Sequence, residues 1–296
     1  MLGMGSVMPE PGYTIPLDIE AGTDPHAAVY ILSRTSGEGS DRTPEAGDLR
    51  LTDTEIRDIL DLNGRFERFL LVLNVGGVVD LSPLDDVANI LLLSQLGAIV
   101  GDAFADVLLG RAYPSGKLAT TWAAWDEGDQ IGDFGDPDDT HYREGVYVGY
   151  RWYDARKMPV RWPFGHGLSY TGYVYRGAAL DADTLTPGGT VTARVTVKNS
   201  GAMRGAEVVQ LYVADATGAP VPGGRVPQAL RRFAKIDLQP GEEREVVFTL
   251  TPQDISRYSP ELHAWCAAPG RYEIRIGHSS RDIRAVLALQ YADAKI

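Results

Sequence analysis

Glu38 is the residue of this chain best placed to do chemistry. It stands between Gly37 and Gly39 in SRTSGEGSDR, Ser33 to Arg42, directly after the apolar run AAVYIL. A carboxyl group on a glycine-flanked loop at the carboxyl end of a parallel strand lies where open α/β sheets place their ligands, with the access that a general acid or base needs. The same residues also fit a solvated turn in which Glu38 is exposed and Asp41 and Arg42 pair locally. Glu144, in YREGVYVGYR, is a rival carboxylate. His166, between two glycines in PFGHGLSYT, reads as a hydrogen-bonded structural histidine. Pro114-Ser115-Gly116-Lys117 lacks the glycine spacing of a phosphate loop and follows a helix instead of preceding one.

Parallel strands are the elements that would carry such a loop. AAVYIL (Ala27 to Leu32), LLVLN (Leu70 to Asn74) and NILLL (Asn89 to Leu93) are apolar on both faces, as strands covered by helices are. Between the first two, LTDTEIRDILDLNGRF predicts a helix, with Thr52 and Glu55 as a capping box and Ile56, Ile59 and Leu60 as its apolar stripe. GAIVGDAFADVLLG predicts a second helix with Val100, Phe104, Val107 and Leu108 on one side, closed by Gly110. Three parallel strands leave an edge and a face poorly covered, so further parts of this domain are expected upstream.

The pattern changes near residue 170. Beyond about Tyr173 a period of two prevails: Val191, Ala193, Val195, Val197; then Val209, Leu211, Val213; then Val246, Phe248, Leu250; then Tyr272, Ile274, Ile276. Pro-Gly turns at Pro187, Pro240 and Pro269 punctuate these half-buried strands, which predicts an immunoglobulin-like or fibronectin-III-like sandwich. The connecting stretch Trp122 to Tyr170 shows no helical period; its Tyr147, Tyr150 and Arg151 are expected to pack between domains.

Composition narrows the classes. With 296 residues, two domains are expected. A net charge of −12 argues against nucleic-acid backbones and anionic membranes as partners, and no apolar run reaches the ~18 residues of a spanning helix. The opening MLGMGSVMPEPGY has neither a basic segment nor a sustained apolar one, so no secretory signal is expected there. The single Cys266 is expected to be a buried free thiol, and no cofactor or metal is expected, since no Cys/His cluster has metal spacing.

SGEGSDR, LLVLNVGGVVDLSPL, ADVLLGRAYPSGKL, REGVYVGYRWYD and WPFGHGLSYT, in that order, resemble the motif series of family 3 glycoside hydrolases. KNSG, GAEVVQLYV and PGE resemble that family's fibronectin-III-like domain. The resemblance implies a partial α/β-sandwich domain over residues 1–170, incomplete at its N-terminal side, then a fibronectin type III-like domain over 171–296. It implies hydrolysis of terminal β-D-glucosidic bonds with retention, Glu38 being the acid/base and an aspartate of a barrel domain the nucleophile, the two carboxyl groups about 5 Å apart. Ser36, Gly37, Gly39, Asp41 and Arg42 become the candidate substrate-side residues, the first three shaping the loop and the last two bracing it. A β-linked oligosaccharide or glucoside and the missing barrel, in cis or in trans, are then the expected partners. No SDW- or SDY-type nucleophile motif occurs in the chain. Gly97-Ala98-Ile99 stands where relatives often carry Gln-Glu, which removes polar groups. A non-catalytic carbohydrate-binding or scaffolding module is the alternative.

Overall fold

The three early apolar runs become one parallel sheet. In the computed structural model, which describes residues 26–35, 42–125, 135–136, 138–218 and 224–292, β1 (Ala27–Ser33), β2 (Arg68–Asn74) and β3 (Ile90–Leu92) pair in that order, all parallel. The central β2 buries Leu71, Val72 and Leu73 on both faces, as expected of a covered parallel strand. Helix α1 (Asp53–Arg65) begins at the capping box, with the Thr52 side chain and the Glu55 carboxylate each taking the other's backbone N–H.

The inward face of α1 differs from the expected stripe. Ile59 and Leu62 are buried together with Glu55 and Asp58, whereas Ile56 and Leu60 are only half-buried. A buried ion pair at Glu55, described below, turns the helix so that a charged residue lies inside. Helix α2 (Val100–Leu108) buries none of its residues; Val100, Phe104 and Val107 are half-buried, and Leu108 is exposed. Gly110, at φ 70°, ends it with the left-handed residue that only glycine adopts freely. Val29 and Ile31 of β1, with Leu96, Ile99 and Leu109, are exposed as well.

These elements belong to one compact unit, residues 1–112 with 122–129; residues 113–121 and 130–296 form the other. In the second unit β4 (Gly135–Asp136) and β5 (Asp139–Thr140) make a small ribbon. The remaining strands are β6 (Tyr173–Leu180), β7 (Thr184–Leu185), β8 (Val191–Asn199), β9 (Gly205–Asp215), β10 (Ala229–Leu238), β11 (Glu243–Leu250), β12 (Arg257–Ser259), β13 (Ala264–Cys266), β14 (Gly270–Gly277) and β15 (Ile283–Tyr291). A five-stranded sheet in the order β10-β9-β14-β15-β7 and a three-stranded sheet in the order β11-β8-β6 enclose one apolar core. All the inward residues expected from the period-two pattern lie in it, from Val191 to Ile276. A one-residue slip would turn each of them to the other face, so burial on one side sets the register.

GAEVVQLYV in β9 is buried on both faces instead of alternating. Its outer face carries Gln210, whose amide donates to the carbonyls of Gly165 (3.0 Å) and His278 (2.6 Å), and Tyr212, which lies edge-on to Tyr150. Tyr150 stacks on Phe164 and accepts the Leu230 N–H at 2.8 Å. It starts α3 (Tyr150–Arg156), a seven-residue helix in the stretch expected to have none, too short for its period to show. Cys266 is a free thiol but only partly buried, because β13 lies outside both main sheets.

Lys117, from the loop that superficially resembles a phosphate site, is instead sequestered. Its ammonium donates to the Gly167 carbonyl (2.8 Å) and lies 3.5 Å from Glu207, which also accepts from Tyr175 (2.9 Å) and meets His278 Nδ1 at 2.7 Å. Desolvation lowers the Lys117 pKa, with Glu207 pulling the other way. Burial, then His278 and Lys117, hold His166 below 6.5. In the window between that depressed value and 6.5 the unfolded chain binds the extra proton, so this histidine makes stability fall as the pH drops below 6.5. We expect His166→Asn to flatten the acid-side decline of the urea midpoint, followed from about pH 7.5 to 5.5; an unchanged slope would exclude the ring as its source.

Candidate active site

Six residues, 36–41, lie outside the described residues, and Ser36, Gly37, Glu38, Gly39 and Asp41 are among them. Both flanks of this segment are described, and they converge on one polar cluster. On the incoming side β1 continues into Arg34, whose backbone N–H donates to the Asn74 carbonyl at 3.2 Å, extending the ladder by one bond. The Arg34 side chain turns inward, 3% exposed, and uses its guanidinium fully. Nη1 and Nη2 donate to the two carboxylate oxygens of Glu55 at 2.7 and 2.8 Å, Nε donates to the Asp48 carbonyl at 2.9 Å, and further bonds reach the carbonyls of Ser33 and Arg50. The bidentate fork is the strong form of this pairing. Gln95, just beyond β3, donates to the Arg34 carbonyl at 3.3 Å.

On the outgoing side Arg42 pairs through Nε with Asp48 Oδ1, and its Nη2 reaches the Val78 carbonyl at 3.4 Å. The other Asp48 oxygen accepts the Thr43 N–H at 2.6 Å. Asp48 is fully buried, and these donors, with the Thr43 hydroxyl at 3.3 Å, help sustain its charge. A Cβ at Gly77 would come within 3.1 Å of Arg42 Nη1, so a larger residue there would press on this guanidinium. Asp48 thus bonds both flanks, through its carbonyl to Arg34 and through its carboxylate to Arg42. The two segments on either side of residues 36–41 are therefore tied to one buried residue.

Of the candidate residues, then, the structure places Arg42 in an ion pair with Asp48. Arg34, Asp48 and Glu55 were not marked as site residues by any pattern except the capping box. Glu144 is half-buried in a turn, its carbonyl accepting the Tyr147 N–H at 2.9 Å, and the Tyr147 hydroxyl reaches the Arg225 carbonyl at 3.4 Å. No group of three or more His, Cys, Asp or Glu side chains that could hold a metal ion occurs among the described residues.

Comparison with known proteins gives this geometry a context. Residues 15–170 match the glycosyl hydrolase family 3 C-terminal domain, and residues 207–280 match the fibronectin type III-like domain. The chain is 34% identical to the β-glucosidase BoGH3A of Bacteroides ovatus over 261 residues, which is 86% of this chain and 34% of that protein. It is 36% identical to thermostable β-glucosidase B of Acetivibrio thermocellus over 83% of this chain and 32% of the relative. Among solved structures, β-glucosidase 3B of Thermotoga neapolitana in complex with glycerol superposes with a TM-score of 0.78 at 33% identity, covering 89% of this chain and 37% of that one. The family 3 β-glucosidase of Bifidobacterium adolescentis gives 0.80 at 32% identity, with 89% and 38% covered. The chain spans about a third of the length of these relatives. With the α/β unit and the β-sandwich both matched in order, this chain belongs to glycoside hydrolase family 3, of which it carries the C-terminal domain and the fibronectin type III-like domain.

Proposed function

We propose that this chain is the acid/base-bearing part of a retaining family 3 β-glucosidase, acting on terminal β-D-glucosidic bonds together with a barrel domain that supplies the aspartate nucleophile. The observation that carries the reading is the double tether: Arg34 and Arg42, immediately outside the segment that contains Glu38, both bond to Asp48. A residue that must deliver a proton and later remove one needs a loop with fixed stems and a reachable tip. Glu38 protonates the departing glycosidic oxygen while the nucleophile attacks the anomeric carbon, and then takes a proton from the water that cleaves the glycosyl ester. In this reading Ser36, Gly37 and Gly39 would shape the loop around Glu38, and Asp41 and Arg42 would brace it instead of binding sugar. The relatives' names support the β-glucoside.

We place the boundary between the two family domains near residue 170, where the first family match ends. The exposed Val29, Ile31, Ile99, Leu108 and Leu109 fit a surface that further parts of such an enzyme cover. The test is reconstitution. The 296-residue chain alone is expected not to hydrolyse an aryl β-glucoside, and adding a family 3 barrel, fused or as a second polypeptide, is expected to give turnover. Full activity in the isolated chain would sink the two-part reading, and no turnover with any family 3 barrel would favour the scaffolding module.

A further inference from the structure

The hairpin β12–β13 stands as a two-stranded sheet of its own, outside both sheets of the sandwich. Tyr258 lies directly across from Trp265 in its register, so both rings project from the same face. That face points to solvent: Tyr258 is 50% and Trp265 55% exposed, whereas Arg257, Ser259 and Cys266 on the opposite side are partly buried. The rings meet edge to face, centroids 5.9 Å apart and planes at 71°, so together they form an open aromatic corner, each ring about half exposed to solvent. The turn is held in shape by Ser259, whose hydroxyl donates to Glu261 at 2.9 Å and accepts the Leu262 N–H at 3.3 Å. His263 takes the positive φ of 47° that closes it.

The dimensions limit what can cover this face. An aromatic side chain presents about 150–250 Å² in all, so two half-exposed rings offer roughly 200 Å². A stable protein interface needs about 800 Å² from each partner. The patch is therefore a quarter of what a folded partner requires, and it matches one or two sugar rings. Pyranoses in the β-gluco series carry their ring hydroxyls equatorially, so both faces of each ring present C–H groups that stack on aromatic faces.

We propose that Tyr258 and Trp265 form a stacking platform for a β-linked glucan chain, a binding site on the sandwich unit in addition to any cleavage site. The choice of a β-glucan among neutral ligands rests on the function proposed above, but its test needs no catalysis, so the two can fail separately. The full 296-residue chain is run in native gels containing hydroxyethylcellulose, barley β-glucan or, as an α-linked control, dextran. The parent is expected to be retarded by the two β-glucans and not by dextran. Trp265→Ala and Tyr258→Ala are each expected to weaken that retardation about tenfold, the scale of a lost aromatic contact, whereas Trp265→Tyr keeps most of it. Circular dichroism of all variants should match the parent. Equal migration of the parent in every gel overturns the proposal, as does undiminished retardation of the alanine variants. A Trp265→Tyr loss as large as that of Trp265→Ala would likewise reject stacking. Concentration-dependent self-association that disappears in Trp265→Ala would make the patch an interface between copies and overturn it too.

Discussion

Glu38→Ala in the enzyme rebuilt with its barrel is expected to lower kcat/KM toward an alkyl β-glucoside by about 10²–10⁴-fold, the range that a positioned general acid/base contributes. The loss should depend on the leaving group. An alkoxide is a poor leaving group and needs the proton from Glu38 as the bond breaks. A dinitrophenolate leaves without one, so formation of the glycosyl ester is nearly spared and the defect shifts to the second half-reaction, in which Glu38 must take a proton from water. The expected signature is a burst of dinitrophenol followed by slow turnover. Azide, an anion that needs no deprotonation, should restore turnover and yield the glycosyl azide. A mere loss of loop shape would slow both substrates alike and give no azide rescue. Wild-type turnover of the alkyl glucoside by Glu38→Ala would exclude the residue and return the acid/base role to Glu144.

Much of this architecture is legible in the chain because its causes are local. Period-two burial at Val191, Ala193, Val195 and Val197 follows from the alternation of side chains along a strand with one face covered. The Thr52–Glu55 box announces the start of α1 within four residues. What escapes such reading is set by distant partners. Asp48 lies 14 residues from Arg34 and 6 from Arg42, in a turn with no period, and nothing beside it marks it as the residue that joins the two flanks. Glu55 looks like an exposed cap residue until Arg34, 21 residues earlier, is seen to draw it inside. β9 defeats alternation for the same reason, since its second face meets Gly165 through Gln210 and Tyr150 through Tyr212, both far back in the chain. The extent to which α2 is exposed depends on what lies against it, which its own apolar periodicity cannot specify.

Glu55→Ala is expected to cost the α/β unit about 3–5 kcal/mol, the usual consequence of removing one partner of a buried ion pair. The Glu55 carboxylate accepts two bonds from Arg34 and the Thr52 N–H at 2.9 Å, and the side chains of the pair are 1% and 8% exposed. Alanine leaves the guanidinium buried with only carbonyl acceptors and removes half of the capping box, worth about a further 1 kcal/mol. Against a total of about 5–15 kcal/mol for a domain, that is enough to unfold a sizeable fraction of this unit. Urea titration followed by the helical circular dichroism signal should show the early transition. Asp61→Ala, which breaks the exposed Asp61–Arg65 pair on the same helix, is the reference and should cost less than about 1 kcal/mol. Equal midpoints for the two variants would show that the buried pair contributes nothing. Replacing both partners, Arg34→Met with Glu55→Leu, removes the stranded charge and should recover most of the stability. The double variant nonetheless lacks the bond from Arg34 to the Asp48 carbonyl, so the rebuilt enzyme carrying it should fold and yet turn over slowly. Recovered stability with full activity would show that the ion pair serves the fold alone, and that the Arg42–Asp48 tether suffices to hold the loop.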